Sequence, residues 1–203
     1  MIDERLYEQF RDIGRDIFVS GLISSHGGNI SVRVGDKIVI KRRGAMLGRL
    51  RPDDLVETAL ERNDSGVVLA STELIVHRAI YLATPALAVV HTHSRTAIAL
   101  SLSRDEIIPV DNEGSYNMKK APVLQVEFAS GTPEMANAIA TALKDYKVVM
   151  LRGHGSFAIG QTLEEAFHWT TMLEEAADII LETKIINEPF IQYRKMADQY
   201  SKW

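Results

Sequence analysis

Three histidines at scattered positions of this 203-residue sequence could together bind one metal ion. Two of them form the pattern His91-Thr92-His93 at the end of the apolar, β-branched run 86–90, which is typical of a strand. Because side chains two apart on a strand point the same way, both imidazoles can reach one ion. His154 lies between two glycines after a second apolar run, and loops at strand ends often carry functional groups. Three neutral imidazoles with an open position are typical of a catalytic zinc site.

A glutamate and a fourth histidine extend this candidate site. Glu73 could be a fourth ligand, a base, or each in turn. His77 follows it by four residues and so shares its helix face, where it could be a ligand, although a role behind the ligands or in the core is favoured. A lone histidine on a strand is usually a hydrogen-bonded core or surface residue, which is the simplest alternative for each member of the set.

Composition limits the class of protein. Hydrophobic residues make up 46% and charged residues 25%, as in ordinary globular chains, and the length suits one domain over 1–203. A net charge of −4 argues against nucleic acid or an anionic membrane as partner. The N-terminus is acidic and amphipathic, unlike a signal peptide, so the cytoplasm is the expected location. The absence of cysteine leaves only nitrogen and oxygen donors for a metal.

Apolar spacing and capping residues predict the elements that must position these side chains. Helices are expected over 6–20, from Ser71 or Thr72 to Leu82, over 132–146 and from Thr162 onward, with a short helix opened by 51–54. Strands are expected over 30–34, 37–41, 86–93, 123–128, 147–151 and 156–159. The stretch 103–122 is loop-rich, and the tail from 188 is expected to be partly helical. This order predicts a three-layer α/β/α sandwich around a mixed, largely antiparallel sheet.

Four motifs in register carry a resemblance to a known family. They are Gly27-Gly28-Asn29-Ile30-Ser31, Ala70-Ser71-Thr72-Glu73, His91-Thr92-His93-Ser94 and Gly153-His154-Gly155. Their order and spacing resemble the class II aldolase/adducin family, closest to its L-fuculose-1-phosphate aldolase branch, over nearly the whole chain. The resemblance implies a sandwich around a nine-stranded sheet, and a cyclic homotetramer with zinc-dependent active sites near subunit interfaces.

The resemblance also assigns roles to individual residues. It makes His91, His93 and His154 zinc ligands, and it makes Glu73 both a ligand of the resting metal and the base. Positions that match the family's phosphate-holding residues are Asn29, Gly44, Ser71 and Thr72. Independently, the expected helix start at 71–72 offers unpaired N–H groups for an anion, and the turn at Gly28 can add further N–H donors.

One position departs from the family pattern. Aldolases of this branch commonly have threonine just before the glycine that matches Gly44, and here Arg43 stands there. Arg43 could grip the phosphate bidentately, since a guanidinium fork fits phosphate. Alternatively, the site binds a different anion, or Arg43 points to solvent or to a neighbouring subunit.

The reaction implied by the resemblance is reversible cleavage of a ketose 1-phosphate, such as L-fuculose 1-phosphate. The products are dihydroxyacetone phosphate and a small aldehyde, formed through a metal-stabilised enediolate. A second acid must serve the aldehyde oxygen, and family members use tyrosines, one of them from a neighbouring subunit. Tyr116 is the first candidate, with Tyr193 or Tyr200 as another. Co²⁺ or Mn²⁺ could replace Zn²⁺, because imidazole and carboxylate serve several ions.

Other functions on the same scaffold stay open at this stage. A sugar-phosphate dehydratase or decarboxylase would use a similar site, whereas an epimerase is less favoured, because relatives of that type resemble Ser-Ser-Asp where this chain has Ser71-Thr72-Glu73. A non-catalytic adducin-like module would not need the histidines. An aldolase that forms a lysine Schiff base is a further alternative.

Overall fold

The computed structural model describes residues 2–193 of the chain. Six α-helices and eight strands follow one another in the described residues, with three short 3-10 helices at Leu47–Arg49, Pro52–Asp54 and Ser65–Val68. In chain order the elements are α1 (Glu4–Val19), β1 (Asn29–Val34), β2 (Lys37–Lys41), β3 (Leu55–Ala59), α2 (Leu74–Ala83), β4 (Ala88–Thr92), α3 (Arg95–Ser101), β5 (Glu106–Ile107), α4 (Asn112–Asn117), β6 (Ala121–Leu124), α5 (Pro133–Ala142), β7 (Val148–Leu151), β8 (Gly155–Gly160) and α6 (Leu163–Ile186).

The strands form one mixed sheet with the order β3-β2-β1-β4-β8-β7-β6-β5. Neighbouring strands are antiparallel except β6 and β7, which run parallel. This confirms the predicted mixed, largely antiparallel sheet. The sheet has eight strands in the described residues, one fewer than the nine that the resemblance implies, and the bridge between Arg42 and Ala70 stays isolated.

Helices cover both faces of the sheet, which confirms the three-layer arrangement. One core cluster joins α2 and α5 to side chains such as Ile40 of β2 and Val89 of β4. Two further clusters place α1, α3 and α6 on the opposite face, against side chains such as Val39 and Val90. Because helices cover both faces, the central strands β4, β7 and β8 are buried along their whole length. His91 lies two residues after Val89, so it shares the face that α2 covers.

Several predicted boundaries change in the structure. The short helix expected from 51 is a single 3-10 turn at Pro52–Asp54, and β3 follows at once, because Asp54 closes a capping box and Leu55 pairs with Lys41. The stretch 103–122 contains β5 and α4, and Asp111 caps α4 by accepting from the Gly114 N–H. A local pattern cannot show the short strand β5, since it has only two residues.

The helix that carries Glu73 begins later than predicted. Its first helical residue is Leu74 and Glu73 is its N-cap, so neither Ser71 nor Thr72 caps it. Ser71 is held outside the helix because its N–H donates to Lys41 O, next to the bridge at Ala70. The predicted caps at Thr132 and Thr162 are confirmed, since each side chain accepts an N–H from the residue three positions on.

Only the first residues of the tail that is expected to be partly helical, 188–193, lie within the described chain. Residues 188–193 contain no helix, and both Phe190 and Tyr193 are exposed. Tyr200 lies outside the described residues. Among the helices of residues 2–193, none combines the length and the apolar character that a bilayer crossing requires.

Candidate active site

The three predicted histidines meet at the end of the central strands. His91 is on β4, His93 follows that strand directly, and His154 lies in the turn between β7 and β8. Pairing of Thr92 with Ser156 brings the end of β4 beside the start of β8 and therefore beside this turn. One nitrogen from each ring lies within 4.8 Å of the others, and the Nε2 atoms of His91 and His93 are 3.1 Å apart.

Hydrogen bonding determines which nitrogen of His91 faces the cluster. Its Nδ1 donates to Ser156 O at 2.9 Å, so its Nε2 carries a lone pair toward His93. The ring also stacks on Phe157, with 4.1 Å between centroids. Burial lowers the pKa of His91 far below its ordinary value and also lowers that of His93, so both rings are neutral and able to bind a metal.

Glu73 adds a carboxylate to the three nitrogens. Its Oε2 lies 3.2 Å from His91 Nε2, and its Oε1 lies 3.6 Å from His154 Nε2. The Asn29 side chain donates from Nδ2 to Oε2 at 2.7 Å. Glu73 is only 5% exposed, and as the N-cap of α2 its side chain makes no capping bond. Its carboxylate is therefore directed to the histidines.

This donor set fits a divalent ion. Tetrahedral coordination at about 2.0–2.1 Å places two ligand nitrogens roughly 3.3 Å apart, close to the separation of the first two histidines. Neutral nitrogens that converge beside a buried carboxylate offer lone pairs and negative charge that a cation between them would satisfy. Zinc suits a set of three imidazoles and a carboxylate.

Glycines let the backbone come close to the histidines. Gly28 has φ of +68°, and a Cβ there would lie 2.7 Å from His91 O. At Gly155 a Cβ would lie 3.0 Å from Cε1 of His91 and 3.1 Å from Cδ2 of His93. A side chain at either position would push the ring-bearing strand away, so the glycines of both motifs serve the geometry of the site.

An open pocket of about 210 Å³ leads from solvent to this cluster. All six predicted substrate-binding residues line it, together with Glu73 and the three histidines, which supports the prediction that they share one site. The six are Gly28, Asn29, Arg43, Gly44, Ser71 and Thr72. The sequence analysis missed Lys41 and Ser130, which also line the pocket.

The pocket carries positive charge. Arg43 lines it with an exposed side chain, and Lys41 is 3% exposed beneath it, where Nζ donates to Ala45 O at 2.8 Å. Burial lowers the pKa of Lys41 to about 8. Lys41 ends β2 and Arg43 lies in the turn that follows, so no strand spacing pointed to Lys41. The two cations and the glycine turns can bind an anion.

Neither Tyr116 nor Tyr193, the two predicted tyrosines in the described part of the chain, lines this pocket. Tyr116 lies on α4, is 42% exposed and lines a separate pocket that includes Lys147 and Trp169. Tyr193 donates its backbone N–H to Val110 O and is also exposed. The structure of a single chain therefore leaves the role of each tyrosine a prediction.

Glu174 and Arg152, which no local sequence pattern indicated, stabilise the segments that carry the histidines. Glu174 of α6 accepts the N–H groups of Thr96 at 2.8 Å and Ala97 at 2.9 Å, so it holds the start of α3 just after His93. Arg152 donates to Ser101 O at 2.5 Å and to Asp105 Oδ1 at 2.6 Å, which ties the His154 turn to α3. Both contacts join elements far apart in sequence, so a local pattern cannot show them.

Comparison with known proteins places this site in a family. Residues 8–181 match the model of the class II aldolase and adducin N-terminal domain. The chain is 31% identical over 184 residues to L-fuculose phosphate aldolase of Methanocaldococcus jannaschii, covering 89% of this chain and 98% of that protein. It is 30% identical over 186 residues to 3-oxo-tetronate 4-phosphate decarboxylase of Haemophilus influenzae, covering 88% of each.

A solved structure agrees with this placement. The crystal structure of L-fuculose-1-phosphate aldolase from Thermus thermophilus superposes with a TM-score of 0.87 and 40% identity, covering 93% of this chain and all of that one. The family match, the shared fold and the histidine cluster therefore agree with one another. The chain belongs to the class II aldolase and adducin family.

Proposed function

We propose that this chain is a zinc-dependent aldolase that cleaves a ketose 1-phosphate, such as L-fuculose 1-phosphate, to dihydroxyacetone phosphate and a small aldehyde. The observation that carries the proposal is the convergence of three histidine nitrogens and the Glu73 carboxylate at the floor of a cation-lined pocket. The aldolases from M. jannaschii and T. thermophilus support it as relatives.

The mouth of the pocket is where we place the substrate phosphate. Arg43 offers a planar fork of donors, and Gly44 and Gly28 bring backbone close to the bound group. Ser71 and Thr72 add hydroxyls, although they precede α2 instead of capping it. This arrangement positions the phosphate at one end of the pocket and the carbonyl carbon of the substrate at the other.

The histidines and Glu73 have different roles in the proposed reaction: metal binding and proton transfer. His91, His93 and His154 would hold the metal, which as a Lewis acid supplies stabilisation of the negative charge that develops on substrate oxygens. In the addition direction Glu73 removes a proton from the carbon beside the carbonyl, and in cleavage it returns that proton.

The aldehyde oxygen needs a separate proton donor in the addition direction. We assign this to Tyr116 of a neighbouring copy in a homotetramer, since Tyr116 is exposed on α4 and does not reach the pocket of its own chain. In cleavage the same phenolic oxygen takes back the hydroxyl proton. Tyr193 is the second candidate for this role.

A panel of ketose 1-phosphates tests the proposed reaction. With zinc present, we expect release of dihydroxyacetone phosphate from at least one of L-fuculose 1-phosphate, its stereoisomers and ribulose 1-phosphate. A chelator is expected to abolish that release, and added zinc to restore it. If the zinc-loaded protein releases dihydroxyacetone phosphate from none of them, the aldolase proposal is wrong.

A decarboxylase is the second candidate, and the pair of cations favours it. Lys41 and Arg43 together could hold both a phosphate and a carboxylate, and the H. influenzae relative is named a decarboxylase. Release of carbon dioxide from a 3-oxo sugar-acid phosphate, without cleavage of any ketose 1-phosphate, would select it. A dehydratase would instead release water and leave the carbon chain intact.

Lys41 also makes the Schiff-base alternative testable. It is a lysine in the pocket whose pKa is lowered to about 8, which is a property of lysines that attack carbonyls. We expect no covalent label when borohydride is added with substrate, because Lys41 Nζ is engaged by Ala45 O. Labelling of Lys41, with activity that survives a chelator, would favour the Schiff-base mechanism.

Replacement of Arg43 by alanine tests the phosphate assignment. We expect KM for the ketose 1-phosphate to rise by about tenfold, the effect of about 1.4 kcal/mol of lost binding, with kcat nearly unchanged. Arg49→Ala is the matched control, because Arg49 is exposed and lies outside the pocket. An unchanged KM in Arg43→Ala would place the phosphate elsewhere.

A further inference from the structure

Polar side chains of α2 and β1 interleave behind Glu73. Along the helix they are Glu73, His77 and Tyr81, four residues apart, and along the strand they are Asn29 and Ser31, two apart. Four helical residues rise about 6.0 Å and two strand residues about 6.6 Å, so the two rows stay in step. Each of the five is at most 5% exposed.

These side chains form one continuous series of hydrogen bonds. Asn29 Nδ2 lies 2.7 Å from Glu73 Oε2, and His77 Nε2 bonds Asn29 Oδ1. His77 Nδ1 lies 2.6 Å from Ser31 Oγ, which lies 2.7 Å from Tyr81 Oη. We call this series, from Glu73 to Tyr81, the buried hydrogen-bond series.

The chemistry of the groups sets which atom donates in each bond of the buried hydrogen-bond series. An ionised carboxylate only accepts, so the Asn29 amide nitrogen must face Glu73 and its oxygen must accept from His77 Nε2. Because Nε2 carries the ring proton in that bond, the uncharged imidazole has a lone pair on Nδ1. Nδ1 therefore accepts from the Ser31 hydroxyl, and Ser31 accepts from Tyr81. Every bond donates toward the carboxylate.

We propose that His77 is a positioning residue that, through Asn29, holds the Glu73 carboxylate in place at the metal site. This inference rests on the proposed function and deepens it. Without the N–H of His77, Asn29 Oδ1 is left buried without its donor, so the amide is no longer fixed against the carboxylate. With that N–H in place, Asn29 holds Oε2 of Glu73, and Oε1 of Glu73 faces His154 and the pocket.

Two substitutions at one position separate this role from packing. His77→Met removes the N–H at similar volume, whereas the amide nitrogen of His77→Gln can still donate to Asn29. We expect zinc affinity, measured by competition with a chelator, to fall about tenfold in His77→Met and to stay close to wild type in His77→Gln. Thr84→Val is the control, because Thr84 is buried just after the same helix and its hydroxyl bonds Ile80 O and the Ala86 N–H, outside the pocket.

The donor direction in the buried hydrogen-bond series can be tested by NMR of the His77 tautomer, which needs neither metal nor substrate. In protein with ¹⁵N-labelled histidine, the resonance that disappears in His77→Gln is expected to show a neutral ring with the proton on Nε2 between pH 5 and pH 8. If His77→Met is too unstable to purify, Ser31→Ala removes one hydroxyl and is expected to weaken this tautomer preference. A proton on Nδ1 in the wild type would overturn the proposal.

The outcomes distinguish this inference from the proposed function. Unchanged zinc affinity in folded His77→Met would overturn the positioning role while ketose phosphate cleavage stands. Normal zinc binding with the expected effect of His77→Met, but no cleavage of any ketose 1-phosphate, would reject the aldolase and leave the positioning role supported. Where cleavage is observed, His77→Met should lower kcat by about tenfold with KM nearly unchanged.

Discussion

Replacing His93 by alanine is expected to lower zinc affinity by about a hundredfold or more and to abolish turnover. The reason is that a catalytic zinc site with three imidazoles loses a direct ligand, whereas loss of an indirect partner alone costs about 10–100-fold. His93 Nε2 lies 3.1 Å from His91 Nε2, so the substitution removes one of the three converging nitrogens.

Metal analysis after dialysis, followed by chelator competition, provides the measurement. His168→Ala is the matched control, because His168 is an exposed histidine on α6 away from the pocket. Stoichiometric zinc in His93→Ala, with wild-type affinity, would contradict the metal site proposed here.

Replacement of Glu73 by glutamine is expected to separate metal binding from proton transfer. The amide keeps the size of the side chain and an oxygen that can accept from Asn29, so three histidines should still retain zinc. It cannot take a proton from carbon, and loss of a general base typically lowers kcat by about 10²–10⁴-fold. Zinc content and steady-state kinetics on the same preparation test both statements.

Glu175→Gln controls for the loss of one negative charge, since Glu175 is exposed on α6. If Glu73→Gln and wild type turn over equally, Glu73 has no part in the proton transfer. If zinc is also lost from Glu73→Gln, Glu73 is a ligand that the metal requires, and the kinetics must be measured with excess zinc before the proton transfer is assigned.

Local patterns predicted much of the scaffold. The strands expected over 30–34 and 37–41 and the helix starts expected at Thr132 and Thr162 each depend on neighbours within a few residues, and the structure confirms them. The patterns failed where a distant segment decides the outcome. The strand β3 forms because β2 offers it an edge, and the start of α2 is delayed because Ser71 is bonded to Lys41.

The candidate site shows the same division. Spacing of two residues predicted that His91 and His93 share a face, and spacing of four predicted the same for Glu73 and His77. Lys41 and Ser130 were missed, because their presence in the pocket depends on which segments enclose it. The direction of the hydrogen bonds behind Glu73 also needed coordinates, since it depends on contacts between α2 and β1.

By itself the amino-acid sequence determined the donor types and their local faces: nitrogen and oxygen ligands, a strand with two imidazoles on one side, and a helix with a carboxylate near its start. Only the tertiary structure decided that these faces meet. His154 reaches the strand of His91 because β4 pairs with β8 in one register, and Glu73 reaches it because α2 packs on that face of the sheet. Side-chain periodicity is a property of a few neighbouring residues, whereas strand register and helix packing depend on burying the whole core at once.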